Sequence, residues 1–238
     1  MTRTSVPSLS LLIAAFNEEA SIEACLREVA LVFADDVEIL VIDGGHDRTG
    51  ERVSAMQRAM PGLRYIRNQP DLGKGHAIRR GIREARGDLM AQLDADLQFL
   101  PSDLPRLLEP LQRGTADVVL GSRFAPGAQR LPGGTPLMRS LGNHVLSAYA
   151  SALSAQRMTD VLAGIKTWTR AAIERIDLRS DGYSYEVEIP MRAVRRGLRV
   201  IELPVTTRAR HGGESNVDVL RVGPRMLFDI SRFRLEES

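Results

Sequence analysis

The run Leu93-Asp94-Ala95-Asp96-Leu97-Gln98 ends an apolar stretch with two carboxylates one residue apart. Beside an apolar strand such carboxylates lose hydration and repel each other, so a divalent cation is their natural partner. Oxygen ligands of this kind suit Mg²⁺ or Mn²⁺, with water and substrate phosphate completing the shell. Asp94 and Asp96 are therefore a candidate metal-diphosphate site; the alternative is one Asp capping the following helix and the other solvated. Asp43 closes another apolar run and is followed by Gly44-Gly45, where backbone can approach a ligand closely. A carboxylate there can accept ring N–H bonds from a nucleobase, or act as a turn residue or, like Asp47, a helix N-terminal anion. The segment Asn68-Gln69-Pro70-Asp71-Leu72-Gly73-Lys74-Gly75 lacks the spacing and the Lys-Ser/Thr pair of a P-loop. It can still set backbone N–H groups and Lys74 near a nucleotide at a helix start, or form an exposed turn.

These residues need a scaffold that brings them to one edge. Short aliphatic runs at 9–15, 37–42, 63–67, 88–93 and 117–120 alternate with stretches of helical period at 19–33, 48–60, 75–86 and 102–113. Continuous apolar runs such as Glu38-Ile39-Leu40-Val41-Ile42 suit strands buried on both faces. The expected architecture is an α/β Rossmann-like open sheet, doubly wound and mostly parallel, with helices on both faces and ligand beyond the carboxyl ends of its strands. Asn17-Glu18, Asp43, Lys74 and Asp94-Asp96 all fall at those ends. After Gly121 the alternation stops. A Gly/Pro-rich loop at 126–136 has Arg123, Arg130 and Arg139 in or beside it, and helices are expected at 137–155 and 184–196, a strand at 199–205, and a last helix opening near Pro224. Trp168 and Tyr149 fall at helical spacing among apolar residues and read as core.

The 238 residues suffice for a full core as one domain, and 43% hydrophobic with 26% charged residues is ordinary for a globular chain. Cys25 is the only cysteine, so neither an intrachain disulfide nor a cysteine zinc site can form. No apolar run approaches the roughly 18 residues of a membrane span, and Met1–Ser10 has no signal-peptide pattern. A cytoplasmic location is expected, with peripheral contact at the inner face of the membrane. The formal charge of +2 is uneven: residues 189–238 carry 10 basic and 6 acidic side chains, and lysine occurs only at 74 and 166. Nucleic-acid binding has only a basic balance behind it and no interleaved aromatics. His46, His76 and His144 read as local hydrogen-bonding or surface residues.

The ordered set Ala14-Ala15-Phe16-Asn17-Glu18, Asp43-Gly44-Gly45-His46-Asp47-Arg48-Thr49, Gly73-Lys74-Gly75, Asp94-Ala95-Asp96-Leu97-Gln98 and Gly121-Ser122-Arg123 resembles family 2 inverting glycosyltransferases of the GT-A fold. Within that family it is most similar to polyprenyl (dolichyl) phosphate sugar synthases, mannose or glucose. Asp160-Val161-Leu162-Ala163-Gly164-Ile165-Lys166, Gly182 to Glu188 and Arg210-His211-Gly212-Gly213-Glu214-Ser215 follow in the expected order. The resemblance implies a GDP- or UDP-hexose bound by Ala14, Asn17, Glu18, Asp43, Gly45, Lys74, Asp94, Ala95 and Asp96. It implies a metal at Asp94, Asp96 and Gln98, catalytic roles for Asp96, Arg123 and Arg210, and acceptor or phosphate contacts from Arg123, Arg130, Asp160, Glu188, Arg210, His211 and Ser215. Residues 1–122 would form the nucleotide-sugar half, 123–215 the acceptor half and 216–238 an amphipathic helix. Gly44 stands where a second Asp is common, His46 where Ser is, Lys166 where Arg is, and Asn216 where Lys is.

A monophosphate acceptor is mostly dianionic at pH 7 and needs no protein base. A hydroxyl acceptor needs one, for which Asp160, Glu186 or Glu188 are candidates; otherwise Asp160 is a helix cap and Glu186 a solvated helix residue. Two further alternatives are a soluble hydroxyl acceptor and a module that binds sugar nucleotides without turnover. A nucleotidyltransferase would carry a Gly-x-Gly-Thr-Arg-Leu-type loop after the first strand, and none is present. The basic amphipathic stretch 217–235 suits either an anionic membrane surface or packing on the domain.

Overall fold

Side-chain alternation along the strands creates two apolar faces. In β1 (Leu9–Ala15), Leu11 and Ile13 join one core cluster while Leu12 joins the other. A computed structural model describes residues 9–33, 37–132, 137–211 and 219–236. The expected strands appear as β1, β2 (Val37–Asp43), β3 (Leu63–Arg67), β4 (Leu89–Asp94) and β5 (Val118–Ser122). The intervening helices are α1 (Ile22–Val32), α2 (Thr49–Met56), α3 (Lys74–Glu84) and α4 (Leu104–Gln112), followed by α5 (Leu137–Ser154). Helices α1, α2 and α4 pack on the Leu11/Ile13 face through residues such as Leu26, Val53 and Leu108. Helix α3, with α5 and the later helices, covers the Leu12 face. The result is the three-layered, mostly parallel α/β sheet that the sequence predicts.

Two regions differ from expectation. A short strand, β7 (Lys166–Thr169), runs antiparallel between β4 and β5, so the seven-stranded order is β3-β2-β1-β4-β7-β5-β8, with β8 at Val200–Pro204. Trp168 is buried on this strand, not on a helix. Because β7 enters from the carboxyl end of β4 and β5, with Lys166 opposite both Gln92 and Leu120, the preceding residues 160–165 are delivered to the edge where Asp94 lies. Helix α6 (Arg170–Ile176) leaves β7 and leads to α7 (Tyr185–Arg195).

The last helix, α8 (Val219–Leu235), opens before Pro224 and carries that proline inside. Met226, Ile230 and Phe233 are buried, and this stripe on the Leu12-side core outweighs one missing backbone hydrogen bond.

A two-stranded parallel ribbon, β6 (Gln129–Arg130) with β9 (Thr206–Thr207), flanks the sheet. Past β9 the chain runs back along the segment after β4: Thr207 bridges Phe99 antiparallel, Arg208 N–H donates to the Gln98 carbonyl at 3.1 Å, and His211 N–H to the Asp96 carbonyl at 2.9 Å. This pairing carries Arg210 and His211, distant in sequence, onto Asp96.

Candidate active site

The loops after β1 and β2 are stitched together by short polar side chains. Asp47 accepts from the Glu19 N–H at 2.9 Å, and Thr49 Oγ1 accepts from the Glu18 N–H at 2.9 Å. Asn17, in the left-handed region at φ 57°, accepts from the His46 N–H at 2.7 Å. A Cβ on Gly45 would stand 2.4 Å from the Asn17 backbone nitrogen, so only glycine fits. Gly45→Ala is expected to cost about 1–3 kcal/mol, because the obstacle is backbone and no rotamer relieves it; urea unfolding measures this, and an unchanged midpoint would contradict the close approach.

Asp43 is fully buried at the end of β2. Its Oδ1 accepts from the Gly45 N–H at 2.8 Å, and its Oδ2 takes the Tyr65 hydroxyl at 2.9 Å and an Arg67 N–H at 3.2 Å. In this arrangement it ties the turn after β2 to β3.

At the end of β4 the two carboxylates diverge. Asp94 pairs with Lys74 Nζ at 2.6 Å, and Lys74 also reaches Glu186 Oε1 at 3.1 Å. Glu186 is buried between Lys74 and Lys166 and takes the Tyr185 hydroxyl at 2.5 Å. It is neither a solvated helix residue nor an unpaired base. Lys166 is fully buried and spends its ammonium on Glu186 and the Ala163 carbonyl. Burial raises the Glu186 carboxyl, but the two lysines outweigh it and hold it below the ordinary range. For Asp94, burial together with the nearby Asp96 and Glu186 charges wins over Lys74, and its carboxyl is raised.

Asp96 Oδ1 accepts the Gln98 N–H at 3.0 Å, while Oδ2 lies 3.5 Å from Arg210 Nε. Arg210 also pairs with Glu18 at 3.0 Å, so the ends of β1 and β4 and the returning segment meet in one ion cluster. Directly after Asp96, Leu97 sits at φ 60°, an uncommon conformation for a bulky residue that only the surrounding contacts sustain.

Among the described residues no three acidic, histidine or cysteine groups gather into a closed cage. The donor set still fits a hard cation. Asp94 and Asp96 are carboxylate oxygen donors on either side of Ala95, and a Cβ at Gly164 would fall 2.0 Å from Asp94 Oδ2, so the carboxylate has a cradle that only glycine leaves open. The exposed His211 follows Arg210 at this edge. Asp94, Asp96 and Gln98 would hold Mg²⁺ or Mn²⁺ there.

The remaining expected residues separate. Asp160 is fully buried and is not a helix cap: Oδ2 accepts the Arg123 N–H at 3.0 Å and its Nε at 2.7 Å, and Oδ1 accepts Arg123 Nη2 at 2.8 Å and Asn143 at 2.5 Å. Burial is outweighed by Arg123 and Asn143, so its carboxyl stays below the ordinary range. Glu188 is buried and committed to the Arg179 and Ser180 N–H groups, at 3.0 and 2.8 Å, and to Arg192 at 2.9 Å. It shapes the loop before α7 and is not exposed to an acceptor. Arg130 is exposed on β6, Ala95 is buried and Ala14 half-buried on the strand ends. Ser215 and Asn216 lie outside the described residues.

The Lys74–Glu186–Lys166 network was not legible as such, because its members come from α3, α7 and a strand that the sequence pattern does not signal. Tyr65 and Arg67 left a signal, the period-two spacing that turns both toward Asp43.

A family model described as glycosyl transferase family 2 matches residues 10–173. The chain belongs to glycosyl transferase family 2. An undecaprenyl-phosphate mannosyltransferase of Micrococcus luteus is 29% identical over 94% of this chain and 93% of its own length. The low-salt glycan biosynthesis hexosyltransferase Agl6 of Haloferax volcanii is 32% identical over 89% of this chain, which spans 50% of that relative. The family 2 chain also shares its fold with glucosyl-3-phosphoglycerate synthase of Mycobacterium tuberculosis, solved with Mn²⁺ and UDP, at a TM-score of 0.71 and 23% identity over 98% of this chain and 82% of that one. The fold is GT-A. No helix among the described residues is long and apolar enough to cross a membrane.

Proposed function

We propose that this family 2 chain moves a hexose, with inversion, from a nucleotide-diphosphate sugar to a polyprenyl phosphate. The observation that carries the acceptor choice is the state of the carboxylates. Asp160, Glu186 and Glu188 are all buried and bonded internally, and the first two are held below ordinary carboxylate pKa values. Lowered pKa makes Asp160 and Glu186 poor proton acceptors, and Glu188 is taken up by the Arg179 and Ser180 N–H groups and Arg192, so a hydroxyl nucleophile would find no base among them. A phosphate dianion needs none. The relatives named for polyprenyl or dolichyl phosphate acceptors support the same reading.

The acceptor oxygen would bond to the anomeric carbon from the face opposite the diphosphate, as the carbon–oxygen bond to that diphosphate breaks and its electron pair leaves with the nucleotide. Arg210, steadied by Glu18, faces the place where that negative charge grows, and Lys74 reaches the same edge from the start of α3. Arg123, fixed by its fork onto Asp160, would orient the incoming phosphate. A bound Mg²⁺ or Mn²⁺ would supply Lewis-acid stabilisation of the leaving diphosphate. Leu141 and Val145 on α5 and Phe228 and Leu235 on α8 are largely exposed, with Arg225 beside them on α8, which suits contact with an anionic lipid surface.

Incubating the protein and Mn²⁺ with labelled UDP- and GDP-hexoses, polyprenyl phosphate and soluble hydroxyl acceptors is expected to place label in the phosphate-linked lipid. Label entering only a hydroxyl product would overturn the acceptor, and donor binding without consumption would reduce the chain to a binding module.

A further inference from the structure

We propose that Glu186 is a positioning residue that acts through Lys74: it gives the ammonium a second seat beside Asp94, so that Lys74 stands on Asp94 until a nucleotide and a divalent ion arrive together and displace it. The inference rests on the metal-diphosphate reading above and goes beyond it in naming the residues that make cation and nucleotide depend on each other.

Neither oxygen of Asp94 is open to a cation while Lys74 keeps its place. Oδ1 pairs with Lys74 Nζ at 2.6 Å, and a Cβ on Gly164 would fall 2.0 Å from Oδ2, so that oxygen is backed by the chain before β7. The lysine has to yield, and only its side chain can. A Cβ on Gly73 would meet the Asp181 carbonyl oxygen at 2.9 Å and one on Gly75 the Ser180 carbonyl oxygen at 2.3 Å, while the His76 N–H donates to the Asp181 carbonyl at 2.8 Å. The first turn of α3 is therefore clamped against the loop before α7. From that fixed backbone the ammonium reaches two acids, Asp94 and, at 3.1 Å, Glu186 Oε1.

Glu186 is itself anchored. Its Oε1 takes the Tyr185 hydroxyl at 2.5 Å, and its Oε2 takes Lys166 and, at 3.4 Å, Gln92 Nε2. Lys166 also bonds the Ala163 carbonyl, next to Gly164. One buried lysine thus fixes both the acid that receives Lys74 and the chain that backs Asp94. Lys74 and Lys166 balance Asp94 and Glu186, so the cluster is neutral with the ammonium in the ion's place. A divalent ion on Asp94 would repel an ammonium held on the same carboxylate. A diphosphate arriving with the ion offers that ammonium new anionic oxygens, and Glu186 keeps it at the edge where they lie.

Electron paramagnetic resonance of free Mn²⁺, in titrations of the full chain alone and with UDP or GDP, tests this. The wild type is expected to bind Mn²⁺ about 5–150-fold tighter with one of the nucleotides than without, the ordinary range for coupled sites. Lys74→Met vacates Asp94, so it should bind Mn²⁺ alone about 10–100-fold tighter than the wild type and lose that part of the nucleotide's effect. The double variant Glu186→Gln with Lys166→Met removes the second seat without altering net charge or leaving a buried charge unpaired. It should bind Mn²⁺ alone more weakly than the wild type, and this loss should vanish once Lys74→Met is added. Circular dichroism checks that each variant folds. Mn²⁺ affinity unchanged by Lys74→Met, a loss in the double variant that persists without Lys74, or wild-type affinity indifferent to nucleotide overturns the assignment while the metal site stands. Failure of the wild type to bind Mn²⁺ with either nucleotide would remove both.

Discussion

Asp96→Ala is expected to lower the rate of sugar transfer by on the order of 10³-fold, the upper range for removing one preorganised stabiliser of developing charge. Asp96 does two things at the end of β4: Oδ1 caps the Gln98 N–H, and Oδ2 faces Arg210 in the cluster shared with Glu18. Asp96→Asn keeps an oxygen for Gln98 and removes only the charge, so it separates the turn from the electrostatics. If charge dominates, single-turnover rates of the two variants fall together while unfolding midpoints differ, with the alanine variant the less stable. Transfer by Asp96→Ala at the wild-type rate, or wild-type transfer undiminished in chelator, would remove the metal-diphosphate site from the mechanism.

Asp160→Ala is expected to destabilise the fold by about 3–5 kcal/mol, because it leaves the guanidinium of Arg123 buried and uncompensated. The Arg123 side chain is only 13% exposed, and Asp160 accepts two of its N–H groups as well as the Arg123 backbone N–H and Asn143. For a domain of this size, that loss corresponds to a fall in Tm of on the order of 10 °C. The pair also has a pH signature. The folded Asp160 carboxyl lies below its unfolded value of about 3.9. Its contribution is therefore fully present above that value and is lost as pH falls through the lower folded one. Asp160→Asn should accordingly show a shallower loss of stability in acid than the wild type, measured by urea unfolding at stepped pH. An acid limb of unchanged slope would mean that Asp160 is not the ionised partner of Arg123.

The same pair shows how a candidate base becomes a support. In sequence, Asp160 is one acid in a stretch similar to other family members, and nothing in its neighbours says whether it faces a substrate or a side chain. The structure gives it Arg123 across 37 residues of chain, and the salt bridge consumes the lone pairs that a base would need. Glu186 follows the same course. A helical position with polar neighbours reads as solvent-facing, yet α7 packs on the sheet through Tyr185, Val187 and Ile189, and Lys166 rises from β7 to meet the buried acid.

What the chain alone determined was the frame of the nucleotide edge. Five apolar runs alternating with helical periods can bury both sheet faces only as a parallel α/β stack, and such a stack must bring Asn17-Glu18, Asp43, Lys74 and Asp94-Asp96 to its carboxyl edge. These are local patterns, and local patterns survive in one dimension. The tertiary structure decided which charges neutralise which: Lys74 with Asp94, Arg210 with Asp96 and Glu18, and Arg123 with Asp160. The pairs of Arg123 and Arg210 depend on a return of the chain, by the four-residue antiparallel β7 or by the segment after β9, that leaves no periodic trace. Ion pairing falls steeply with distance and rises with burial, so partners far apart in sequence are chosen only once packing has closed the gap between them.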